Sequence, residues 1–139
     1  MVTRGDINEM LWKRLKALAD NGTIPIRGKV YNGERDLDNV SEDITVKTTV
    51  VTGFGNVQRA DVNINVFVDD MQRSANVYVA DDGRLAELSK PVLAFIKTID
   101  KFTPHTGTVS VSEHVFEEAT LRQHYTNFLV SMNVFDTNP

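Results

Sequence analysis

Residues 44–68, ITVKTTVVTGFGNVQRADVNINVFV, decide the fold. In the second half Val62, Ile64, Val66 and Val68 fall on one side of an extended chain and Asn63 and Asn65 on the other, the period-2 signature of a strand buried on one face. The first half alternates less strictly, Ile44, Val46, Thr48 and Val50 against Thr45, Lys47 and Thr49. The glycines of Thr52-Gly53-Phe54-Gly55-Asn56 permit the positive φ that a tight reversal needs. A central antiparallel hairpin is expected, with the rest of the chain packed on it or bordering it.

Upstream, Asp6 with Glu9 three residues on reads as an N-cap of the capping-box type, both carboxylates sitting at the positive end of a helix. Ile7, Leu11, Leu15 and Leu18 then form an amphipathic stripe, and Asn21-Gly22 supplies the stop. At about 100° per residue Trp12 falls roughly 60° outside that stripe, which places it at an edge or interface. Ile24-Pro25-Ile26 leads into a short strand ending at Val30-Tyr31, and the acidic stretch from Asn32 to Asp43 reads as a solvated loop.

Downstream of Val68 the alternation fails, and Asp69 to Ala80 reads as a long projecting loop. Asp81-Asp82-Gly83 introduces a second helix with the stripe Leu85, Leu88, Val92, Phe95 and Ile99. Pro91 inside that pattern predicts a break between Ser89 and Pro91. After the turn cluster Thr103 to Gly107, Val109, Val111 and Val115 alternate with polar residues, as do Phe128, Val130, Met132 and Val134 farther on. A C-terminal hairpin joined around Glu117 to Leu121 follows. Leu129 and Phe135 add apolar groups to the other face of its last strand, where another subunit is expected to meet it. The whole predicts an α+β two-layer sandwich, a mainly antiparallel sheet covered on one face by two helices, with residues 1–139 as a single domain.

Bulk properties narrow the function. With 139 residues, 41% hydrophobic and 24% charged, the chain has the composition of an ordinary globular domain. It has no apolar run of the roughly 20 residues a membrane-spanning helix needs. The N-terminus lacks the apolar core of a secretory signal, so an intracellular origin is the default expectation. The absence of cysteine excludes disulfides, thiolate metal sites and cysteine nucleophiles. A net charge of −4 argues against a dedicated nucleic-acid binder, which presents a basic face to phosphates.

The chemistry-bearing residues form no strong pattern. His114 and His124, if they were cross-strand partners, would begin a metal site with Glu113 or Glu117, but Glu113 points away from His114 on an alternating strand. Asp36, Asp38, Glu42 and Asp43 lack the glycine and terminal glutamate of a calcium loop. No P-loop, dinucleotide-binding turn or nucleophile elbow occurs, and Gly53-Phe54-Gly55 is a lone G-x-G at a hairpin tip, where Phe54 is expected to be buried against a neighbour or the domain edge. No cofactor is expected, and the chain is read as non-enzymatic.

The order of elements resembles the tail-terminator, or tail-completion, proteins of long-tailed bacteriophages and prophages. The similarity covers most of the chain: a leading helix at Asp6–Asp20, the Gly28-Lys29-Val30-Tyr31 strand, long strands around Ile44–Val51 and Val62–Val68, a helix over Leu85–Ile99 and closing strands through Phe135. Pro91 departs from the uninterrupted second helix of that pattern. The resemblance implies a subunit made in the host cytoplasm and carried in the virion, assembling with itself into a ring, usually a hexamer, at the head-proximal end of the tail. Its partners would be the tail tube protein and head-connector proteins, with DNA passing through the ring without specific binding. Trp12, Phe54, Leu129 and Phe135 are the interface candidates, and Asp69, Asp70, Met71, Arg73, Asp81 and Asp82 the loop or lumen candidates. A head-completion or stopper protein is the rival within the same particle, and a small ligand-binding or enzymatic domain the rival from another class.

Overall fold

The computed structural model of the chain describes residues 2–53, 57–99 and 106–135, apart from the side chains of 108 and 109. Elements follow in the order α1 (Arg4–Asp20), β1 (Val30–Asn32), β2 (Ile44–Thr52), β3 (Val57–Asp69), β4 (Met71–Ser74), β5 (Val77–Val79), α2 (Asp82–Ile96), β6 (Thr106–Glu118) and β7 (Gln123–Phe135). Five strands make one sheet in the spatial order β1-β2-β3-β7-β6, antiparallel throughout except for the parallel β1–β2 pair. This is the expected α+β architecture.

Alternation along β3 and β7 explains which face the helices cover. Val62, Ile64, Val66, Phe128, Val130, Met132 and Val134 are buried on one side, in a single cluster with Ile7, Leu11 and Leu15 of α1 and Leu85, Leu88, Val92, Phe95 and Ile96 of α2. Asn63 and Asn65 face the other side, half exposed. Slipping β3 by one residue would exchange these two sets, so burial of the apolar set fixes the register.

In β2 the pairing with β3 shifts between Thr48 and Val50, a bulge that leaves Thr49 without a partner residue. The bulge reverses the facing: Val50 is exposed, whereas strict alternation places it inward, and Val51 packs on the core instead. Asn8 of α1 braces the strand just ahead of the bulge. Its Oδ1 accepts from both the amide and the hydroxyl of Thr48 at 2.6 Å.

The start of α1 lies three residues, nearly one turn, ahead of the sequence expectation. Thr3 is the N-cap, and Asp6 is the third helical residue that bonds back to the Thr3 amide at 2.9 Å, closing the capping box. Donation from the Thr3 amide, then from the Thr3 hydroxyl, holds the Asp6 carboxyl below its ordinary range.

The expected break in α2 does not occur. The helix runs unbroken from Asp82 to Ile96 with Pro91 inside it, capped by Asp81, whose Oδ1 accepts from the Arg84 amide at 3.0 Å. Burial of Leu88 and Val92 on either side of the proline holds the turn in place. The hydroxyl of Ser89 anchors the same turn to Thr126 Oγ1 of β7 at 3.1 Å. Pro91 still removes an amide from the helix ladder, so Pro91→Ala is expected to stabilise the protein by about 1–2 kcal/mol. Urea unfolding checks this; a lower midpoint would show that the proline ring packs better than the restored hydrogen bond.

Residues Asp69 to Ala80 are not the expected open loop. They form a β-hairpin, β4 against β5, closed by Asn76 in the left-handed region at φ 65°. Its base is fixed to the main sheet, because the Asp70 amide donates to the Arg122 carbonyl at 2.9 Å and the Arg122 guanidinium lies 4.0 Å over the Tyr78 ring. The hairpin is therefore an arm standing off the end of β3 and β7.

Candidate assembly surface

Both α-helices lie on one side, and the opposite face of the sheet carries no α-helix among the described residues, the segment around Arg35 covering it at one end. Strand register arranges its side chains in cross-strand rows. At one end Phe67, Tyr125 and Phe116 form an aromatic row, with ring centroids 4.8 Å and 5.5 Å apart. Next come Thr45, Asn65, Asn127 and His114, then Lys47, Asn63, Leu129 and Ser112. At the far end Val57 stands opposite Phe135.

Part of this polar surface binds itself. Asn127 Nδ2 donates to Asn65 Oδ1 at 2.7 Å and Asn63 Oδ1 at 3.0 Å, and Ser131 Oγ donates to Asp61 Oδ1 at 2.7 Å. Lys47 pairs with Glu34. Polar groups that bond to one another in this way lower the desolvation cost when the apolar side chains around them meet a partner. Those side chains are Leu129 and Phe135, each 39% exposed, with Val50 and Val57 beside them and Phe116, 47% exposed, at the aromatic end.

A concavity of about 600 Å³ opens at the aromatic end, between the sheet and the segments around Arg35 and Thr120. Its wall includes Arg35, which pairs with one of two neighbouring carboxylates that the sequence reading leaves in a solvated loop. Glu42 and Asp43 are only 2% and 1% exposed. Asp43 accepts from the amides of Lys29 and Ser41 at 3.0 Å and lies 3.5 Å from Arg35 Nη1. The Arg35 guanidinium in turn covers the Phe67 ring at 3.6 Å. Burial pushes the Arg35 pKa down, and the Asp43 charge opposes this.

Glu42 takes a bidentate grip from Arg84, with Nε and Nη2 each donating at 2.7 Å, while Arg84 Nη2 also reaches the Pro25 carbonyl at 2.8 Å. Burial alone would raise the Glu42 pKa, but the Arg84 hydrogen bonds and charge, with the Arg27 amide, hold it below its ordinary value. The same contact, made chiefly through hydrogen bonds to Glu42, raises the pKa of Arg84. One clasp thus joins α2, the segment before β1 and the start of β2.

The structure separates the sequence-based candidates. Trp12 is half-buried on the core, and its Nε1 donates to the Val30 carbonyl at 2.9 Å. Phe54 lies outside the described residues. Asp69 accepts from Gln123 at 2.8 Å, Asp70 sits 2.6 Å from His124 Nδ1, and Asp81 caps α2, so these three carboxylates serve the chain itself. Asp82 is exposed in the first turn of α2, and Met71 and Arg73 are exposed on the arm. His114 pairs across to Asn127 and His124 to Glu117, so the two histidines do not meet.

The chain matches no protein-family model and no curated protein. Its functional reading therefore rests on the geometry of this surface. Sequence reasoning missed Arg35, Glu42, Asp43 and Arg84 as an organised set. The one local signal was the pair Glu42-Asp43 directly ahead of a strand whose first residues are buried, where side chains have little access to water.

Proposed function

We propose that the chain is a non-enzymatic structural subunit that acts by self-association, and that it serves as a ring-forming tail terminator at the head-proximal end of a phage or prophage tail. One observation carries the self-association: the face of the sheet away from the two α-helices leaves Leu129, Phe135, Val50 and Val57 exposed around an Asn63, Asn65 and Asn127 cluster whose side chains hydrogen-bond to one another. Such a face gains from a protein partner and offers little to a small polar substrate. Its place in the tail rests on the resemblance in element order, with the tube, the head connector and passing DNA as neighbours.

Leu129→Asp and Phe135→Asp test the reading. Both positions are exposed, so circular dichroism is expected to stay unchanged while the assembled fraction in sedimentation velocity drops. Buried anchors of this kind are worth about 2 kcal/mol or more each, roughly thirtyfold in affinity. Normal assembly of both variants would place the interface on another surface.

A further inference from the structure

Resting on the self-assembly reading, we infer that the β4–β5 arm of one copy docks along the free outer edge of β6 in the next copy. The sheet has two edges, and they are unequal. On the β1 side the strand has three residues, and the Val30 carbonyl takes the Trp12 indole N–H. On the β6 side 13 residues present a row of backbone groups that no described strand pairs.

A single open edge joins only to its own kind. Pairing β6 with β6 of a second copy is isologous, centred on Ser112, and closes as a dimer; a ring needs two different patches that meet head to tail. The arm supplies the second patch. It is a separate two-stranded sheet, a unit marginal on its own, so the outer sides of both its strands are open to further pairing. Adding it to β6 satisfies backbone groups on both partners, as in strand addition to a sheet edge.

Charge and surface chemistry match. The strand β6 carries Glu113, Glu117 and Glu118 and no lysine or arginine, while residues 71–79 carry Arg73 as their only charge. Arg73 is exposed and has no ion-pair partner among the described residues. Apolar groups stand on both sides: Met71 and Val77 on the arm, and Val115 and Phe116, 52% and 47% exposed, on β6. Two like β6 edges, by comparison, bring acidic strand to acidic strand.

The absence of cysteine makes a direct test clean. Arg73→Cys and Glu117→Cys proteins, mixed and allowed to assemble before mild oxidation, are expected to give a disulfide between the two variants that neither gives alone. Arg73→Glu is expected to weaken assembly at least tenfold, and adding Glu117→Lys in the same chain to restore most of it. Assembled protein without the mixed disulfide overturns the arm's placement and leaves the self-assembly reading standing. A disulfide dimer of Ser112→Cys alone also overturns it, because that position marks the centre of the isologous pair. A wild-type protein that stays monomeric with tail tubes present overturns both.

Discussion

Arg84→Met is expected to lower the unfolding free energy by about 3–5 kcal/mol, the cost of leaving a buried charge without its partner. The variant keeps the aliphatic stem of Arg84 but removes both hydrogen bonds to Glu42 and the one to the Pro25 carbonyl. Its pH dependence distinguishes this cause from lost packing. In the wild type the folded-state pKa of Glu42 lies below its ordinary value of 4.5, so its contribution is complete above that pH and is lost as the pH falls toward the folded value. Without Arg84, burial is opposed only by the Arg27 amide and charge, so the folded-state pKa moves up and the variant gains less stability than the wild type as the pH rises through this range. The gap between the two proteins is therefore expected to be widest near neutrality and to shrink toward pH 4. Urea unfolding at several pH values measures it, and a gap independent of pH would mean that the clasp acts through packing.

Gly28→Ala is the second large effect. A Cβ at this position would stand 2.1 Å from Asp43 Oδ1, 2.4 Å from the Glu42 carbonyl oxygen and 2.9 Å from the carbonyl carbon. The Gly28 amide also donates to that carbonyl at 2.8 Å, so the two backbones are held together where the methyl would go. Overpacking usually costs about 1–3 kcal/mol, and rigid backbone on one side puts this case at about 3 kcal/mol or more. Trp12, the sole tryptophan, lines the same groove as Gly28 and Val30, so its emission is expected to shift to the red. Gly107 is the control, with nothing within 4 Å of an added Cβ and no positive φ, and Gly107→Ala is expected to change stability by less than about 0.5 kcal/mol. Equal effects at the two glycines would refute the close approach.

These two sites show what was legible in the sequence. Period-2 alternation in β3 and β7 identified the buried faces because the residues that decide it are neighbours in the chain. The helices followed from their stripes for the same reason. Glu42 and Arg84 are 42 positions apart, and local pattern carries no record of such a partner. A charged pair ahead of a strand then reads as solvated loop, although the fold buries it.

Other differences have local physical causes. Pro91 breaks an isolated helix, but here Leu88, Val92 and Phe95 are buried on both sides of it, and tertiary packing overrides propensity. The bulge at Thr49 falls in the run Thr48-Thr49-Val50-Val51, where two like residues follow two like residues and alternation cannot show a slipped register. The arm hid because strands of four and three residues are too short for a period to register. Its signal was Asn76, a residue type that enters the left-handed turn region more readily than most. Leu129 and Phe135 were legible as apolar groups on the wrong side of a strand, and they remain exposed in the folded chain.

Native mass spectrometry of the wild-type protein, alone and with tail tubes, tests self-assembly most directly. One closed species at an integer multiple of the 15.6 kDa chain is the predicted result, weakened by Leu129→Asp or Phe135→Asp. A spectrum holding only the 15.6 kDa monomer at every concentration, with tubes present, would contradict it.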